Sequence, residues 1–220
     1  MIGFGATYGM FIGLATAAPP STPAAEPWTV YEDRDGIVSS YRGIPGSKVL
    51  AARGEVVANV EIAAAVGYFL DPTKSTEWVD MLVDLSEHEL GEGAFVERQT
   101  YDMPWPTWDR EFVLKRTVSA DAADHSVTVT YASIDDAKYP ARDGIVRGRD
   151  SGSFWKFSAL PDGRTRIIVE VAVEPMGSLP AWLVNAIQRG WPYATLTTFV
   201  DHVRTSKSPR YPAAIGWVRP

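Results

Sequence analysis

Residues 180–203 read PAWLVNAIQRGWPYATLTTFVDHV. Trp182, Leu183, Ile187, Ala194, Phe199 and Val203 recur at helical spacing, which predicts a long C-terminal helix with one apolar stripe. Gly190-Trp191-Pro192 interrupts it, and because proline removes a helical hydrogen bond the helix is expected to break or bend there. Nearly everything before it has strand character: 28–31, 37–41, 49–57, 95–101, 111–118, 126–134, 153–160 and 165–173, with Asp35-Gly36 as the hairpin signal between the first two. One helix interrupts the strands. Asn59 is placed to cap it, and Ile62, Val66, Phe69 and Leu70 mark its buried side before Asp71-Pro72 ends it, with a short helical piece over 73–79. A sheet must cover its apolar face. The expected fold is therefore α+β: a curved antiparallel sheet wrapped around a long C-terminal helix, with an internal apolar cavity between them.

Composition narrows the function. The chain has 220 residues with 21 basic and 27 acidic side chains, a net charge of -6, the wrong sign for a domain that gains affinity by neutralising phosphates. No nucleic-acid partner is expected. With no cysteine there is no disulfide framework, thiolate metal site or cysteine nucleophile. The histidines, His88, His125 and His202, are far apart and lack metal-ligand spacing; no metal, cofactor or catalytic residue is expected. Asp33-Arg34-Asp35-Gly36 reads as a turn.

Three domain segments are expected. Residues 1–27 are a signal-like apolar segment followed by a Pro/Ala linker from Pro19, residues 28–206 the folded domain, and 207–220 a C-terminal tail. Met1–Ala18 is uncharged and ends in small residues, the pattern of a secretory signal without its basic start. If it is cleaved the protein is periplasmic or secreted; otherwise it is cytoplasmic.

Strand alternation places Phe95, Glu97, Gln99 and Tyr101 on one face, and Phe112, Leu114 and Arg116 on one face of the next strand. An ion among inward aromatics is costly unless paired, so Glu97 and Arg116 are expected to satisfy each other. On an inward face the pair would anchor a polar group of a ligand; on an outer face it would be an ordinary surface ion pair. In the C-terminal helix, Leu183, Ala186, Ile187, Gly190 and Ala194 share a spacing that either presents small and branched groups to a ligand or packs a core.

Three segments resemble the signature stretches of the START family, the steroidogenic-acute-regulatory-protein-related lipid transfer domains. They are Pro104-Trp-Pro-Thr-Trp-Asp-Arg110-Glu-Phe-Val113, Tyr139-Pro140 with Gly144-Ile-Val-Arg147-Gly148, and Glu174-Pro-Met-Gly177-Ser-Leu-Pro180-Ala-Trp-Leu-Val-Asn185. The resemblance implies the helix-grip fold and an acidic residue paired with an arginine at the inner end of the cavity, at Glu97 and Arg116. It implies a non-enzymatic lipid carrier, sterol-like cargo favoured, that touches a membrane surface transiently and works as a monomer. It also makes the Asp136–Gly144 loop an entrance flap that brings Tyr139 to the ligand. Two alternatives share the cavity: a polyketide cyclase or aromatase, and a ligand-gated interaction module. As a general base Glu97 would be weakened by the arginine beside it, which lowers a carboxyl pKa.

Overall fold

The structure is a computed structural model that describes residues 26–91, 93–105 and 107–217. The signal-like segment and most of the linker lie outside the described residues. Twelve strands are defined: β1 Thr29–Arg34, β2 Ile37–Gly43, β3 Leu50–Ala58, β4 Leu82–Gly91, β5 Ala94–Tyr101, β6 Arg110–Asp121, β7 Ser126–Ser133, β8 Val146–Arg147, β9 Arg149–Asp150, β10 Phe154–Ala159, β11 Thr165–Val171 and β12 Val173–Glu174. Three helices join them: α1 Ile62–Phe69, α2 Ser75–Trp78 and α3 Ala181–Val203.

The main sheet runs β1-β2-β3-β11-β10-β7-β6-β5-β4 with every neighbouring pair antiparallel, and β8 lies parallel to β6. The expected first hairpin forms at Asp35-Gly36, where both residues have positive φ, 54° and 76°, the backbone that a two-residue hairpin turn requires. The N- and C-terminal halves of the chain meet where β3 pairs with β11, from Thr165 opposite Ala58 to Val171 opposite Ala52.

Strand β4 was not expected from the sequence. Asp84, Glu87, His88 and Glu89 make it too polar to read as a strand, yet at the sheet edge it needs only one neighbour, β5, and charged residues suit an unpaired edge. Helix α1 begins at Ile62 with Glu61 at its N-cap and no side-chain cap bond, so Asn59 is not the cap. Helix α3 continues through Pro192 without a break.

Gly54 explains how α3 sits. A Cβ added there would lie 2.6 Å from Leu196 Cδ1 and 2.9 Å from Pro192 Cβ, so the helix rests directly on the bare backbone of β3. Beneath it Tyr68, Phe69, Trp78, Trp155, Phe157 and Phe199 form one aromatic cluster, with Phe69–Trp155 and Trp78–Phe199 ring centroids both 4.9 Å apart. Such contacts each add about 0.5–1.5 kcal/mol beyond burial.

The C-terminal segment folds back over α1. The Tyr211 amide donates to Ala63 O at 2.8 Å, Ser208 Oγ donates to Asp71 Oδ2 at 2.7 Å, Arg210 pairs with Glu61, and Ala214 is fully buried. Residues expected as a tail thus complete the core around α1.

The seat of α3 is tested at Gly54. Gly54→Val forces Pro192 and Leu196 outward and should lower unfolding free energy by about 1–3 kcal/mol, the usual cost of overpacking; a denaturant midpoint equal to wild type would show that α3 does not rest there.

Candidate lipid-binding site

Between α3 and the β4–β7 half of the sheet lies a cavity of about 160 Å³. Its wall is mostly apolar, with Trp78, Leu85, Phe112, Leu114, Trp155 and Trp191 among its residues. Alternation along the strands turns Glu97, Gln99 and Tyr101 of β5, and Phe112, Leu114 and Arg116 of β6, to this wall, because the paired positions Glu97–Leu114 and Gln99–Phe112 share a face.

The two charged residues meet as a buried pair. Arg116 Nη1 lies 2.5 Å from Glu97 Oε1 with side-chain exposures of 6% and 1%, and the guanidinium also stacks on Phe95, 4.7 Å from its centroid. A third partner was missed in the sequence: Glu87 on β4 stands directly opposite Glu97 and reaches Arg116 Nη2 at 3.1 Å. Two carboxylates therefore share one guanidinium. Burial raises the Glu97 pKa above its ordinary value, Arg116 and Gln99 oppose the shift, and Glu87 adds to it. Arg116 lowers this pKa as expected, but desolvation outweighs it and the second carboxylate adds to the rise, so the net shift is upward.

A directional chain leads away from the pair. Gln99 Nε2 donates to Glu97 Oε2 at 2.8 Å, and Tyr101 Oη donates to Gln99 Oε1 at 2.8 Å. Burial, with Glu97 and Asp150 nearby, pushes the Tyr101 phenol up, so it stays a neutral donor. Asp150 also lines the cavity; burial raises its pKa against the bonds that its Oδ1 accepts from Gly152 and Ser153 N–H.

From α3 the wall takes Val184, Ile187, Gln188 and Trp191. Of the helix residues expected from the sequence only Ile187 is among them. Leu183 and Ala194 are half-buried outside the wall, and Ala186 and Gly190 are exposed. The lining stripe is turned by about one residue from the expected one, because the helix is seated through Pro192 and Leu196, which fixes its rotation.

Tyr139 lies on the opposite side of the sheet. It packs with Val96 and Val113, whose neighbours Glu97 and Leu114 face the cavity, and beneath the Arg98 guanidinium, 5.2 Å from its ring. The loop that carries it is pinned there. Asp136 pairs with His88 at 3.3 Å, while Arg142 and Arg147 both bind Glu111, each at 2.7 Å, and Glu111 is completely buried. This loop, expected as an entrance flap with Tyr139 against the ligand, is a brace on the outer face.

The cavity rim is built instead by residues 102–105 and 107–109 and by residues 175–180. Met103, Pro175 and Leu179 contribute to the wall, and buried Arg110 stitches the two loops together, donating to Trp108 O, to Pro175 O at 3.2 Å and to Met176 O at 3.2 Å. Among the described residues no group of three or more metal-ligating side chains occurs.

The arrangement has known relatives. An uncharacterized protein of Pseudomonas aeruginosa is 30% identical over 175 residues, spanning 78% of this chain and 84% of that protein. The crystal structure of a STAR-related lipid transfer protein from Xanthomonas axonopodis superimposes with a TM-score of 0.71 at 23% identity, covering 80% of this chain and 98% of the other. Human StAR-related lipid transfer protein 5 gives a TM-score of 0.75 at 15% identity, with coverages of 81% and 86%. These likenesses establish the helix-grip architecture. The family model described as START domain matches residues 25–207, most of the chain, and the protein belongs to the START domain family.

Proposed function

We propose that the protein is a non-enzymatic carrier that holds one sterol-like lipid in the cavity under α3, with a hydroxyl of that lipid anchored at Glu97 and Arg116. Lipid binding in general follows from the family. The single observation that carries the finer reading is a buried ion pair set in a mostly apolar wall. An apolar ligand that buries ~300 Å² gains ~7–8 kcal/mol at ~25 cal/mol per Å² before association costs. The buried charges then discriminate, since a ligand without a polar group leaves them without a partner it could have supplied, at about 1–3 kcal/mol.

A carrier is favoured over a cyclase by the state of Glu97. Its Oε2 accepts from Gln99 and its Oε1 lies against Arg116, so the group is held as one member of a network that a polar ligand group can join. Membrane contact is supported by exposed tryptophans on one rim loop and at the start of α3. Trp105 is 92% exposed, Trp108 63% and Trp182 71%, and tryptophan at an exposed edge suits the boundary between water and lipid. The free volume of about 160 Å³ is below the ~300–1,000 Å³ of ordinary small-molecule sites, so in this reading α3 and the two rim loops move outward as the lipid enters.

The first test is native mass spectrometry of the purified full-length protein followed by extraction of whatever copurifies. A stoichiometric lipid with a hydroxyl is expected; an empty protein that also ignores a lipid panel would remove the carrier reading. Arg116→Leu should weaken binding of a hydroxylated sterol about tenfold more than binding of its deoxy analogue, and equal losses would dismiss the anchor.

Acid dependence provides a separate check on Glu97. Because its folded-state pKa is raised from 4.5, this group stabilises the fold fully below pH 4.5, and that contribution is lost as pH rises through the raised value. Denaturation of wild type and Glu97→Gln across pH 4 to 8 should show the wild type losing stability relative to the variant as pH rises; the opposite slope would mean that Arg116 dominates the site.

A further inference from the structure

The cavity wall contains a second polar group that the Glu97–Arg116 pair does not engage. Gln188 on α3 is 6% exposed, lines the cavity, and donates from Nε2 to Val173 O at 2.8 Å. A carbonyl can only accept, so this bond fixes which end of the amide faces β12 and leaves Oε1 on the other side. That oxygen is buried and has no hydrogen-bond partner. An orphaned buried acceptor costs about 1–3 kcal/mol, a cost removed whenever a ligand supplies a donor.

Among the described residues no side chain donates to that oxygen, and two of the polar groups of the wall are committed to each other. The Tyr101 hydroxyl hydrogen is directed to Gln99, and the Gln99 amide nitrogen is directed to Glu97. Asp150, opposite Val173 in the β9–β12 ladder, accepts at Oδ1 from two backbone N–H groups. Gln188 Oε1 thus offers a buried acceptor with no protein donor against it, while at the other station the Arg116 guanidinium is shared by Glu97 and Glu87. The two polar stations also stand on different walls, one on β5 and β6, the other on the covering helix.

We propose that Gln188 is a second recognition point, whose Oε1 accepts a hydrogen bond from a second hydroxyl of the ligand, so that the cavity selects lipids carrying two separated polar groups. The proposal rests on the carrier reading and deepens it. It assigns specificity to a helix residue that is fixed in orientation by a main-chain carbonyl, so the side chain cannot turn its amide to suit a ligand with an acceptor there.

The test compares two probes on the full-length protein, cholesterol and the cholesterol derivative hydroxylated at the end of its side chain. Wild type should bind the dihydroxy sterol about tenfold more tightly. Gln188→Met, which keeps length and apolar volume, should abolish that preference, so that the ratio of the two affinities falls about tenfold to near one. Cholesterol binding without any preference in wild type, or a preference that survives in Gln188→Met, would overturn the role of Gln188 and leave the carrier reading standing. Failure of wild type to bind either sterol would bring down both.

Discussion

Everything about the binding region follows from one close approach, the seat of α3 on Gly54. A helix pressed against bare strand backbone is held at the β2–β3 end of the concave face, with Pro192 and Leu196 in contact. The sheet curves and the helix is straight enough to run unbroken from Ala181 to Val203, so the two must separate toward β4–β7. Side chains from both surfaces reach into that gap without closing it. The cavity is thus a geometric remainder of fitting a rod against a curved surface, and the aromatic cluster around Phe69 and Trp155 keeps the remainder from collapsing.

Within the gap, electrostatics is arranged by scarcity. One guanidinium serves Glu97 and Glu87, and removing two such charges from water costs several kcal/mol each before their attraction is counted. The arrangement persists because Gln99 and Tyr101 extend the network with bonds of fixed direction. Direction matters as much as charge here: the Tyr101–Gln99–Glu97 chain of donated bonds points one way along the wall, which gives a mostly apolar volume an orientation.

How much of this was readable depended on whether a residue's environment was local. Asp35-Gly36 announced its hairpin because the turn itself demands positive φ at both residues. The inward faces of β5 and β6 were legible from alternation, which the pleat enforces. Glu87 was not, because an edge strand with alternating charge looks like a loop until its partner is known. The rotation of α3 was hidden as well: apolar residues occupy more than one side of the helix, and the choice between Leu183 and Val184 as wall residue is made by Gly54, more than a hundred positions away. Tyr139 misled for a related reason. A loop that follows a strand can cross either face of the sheet, and the clamp of Arg142 and Arg147 on Glu111 that settles it joins segments no periodicity connects.

The pairing of β3 with β11 has a consequence for the order in which the molecule comes into being. Ala52–Ala58 waits for Thr165–Val171, so the first third of the chain leaves the ribosome with a strand edge unpaired until three-quarters of the sequence has been synthesised. Long-range pairings of this kind slow folding and lengthen exposure of apolar surface. The covering helix α3 follows β11, and the segment that locks α1 follows that helix. The hollow therefore cannot exist until β3, β11 and α3 have all been synthesised.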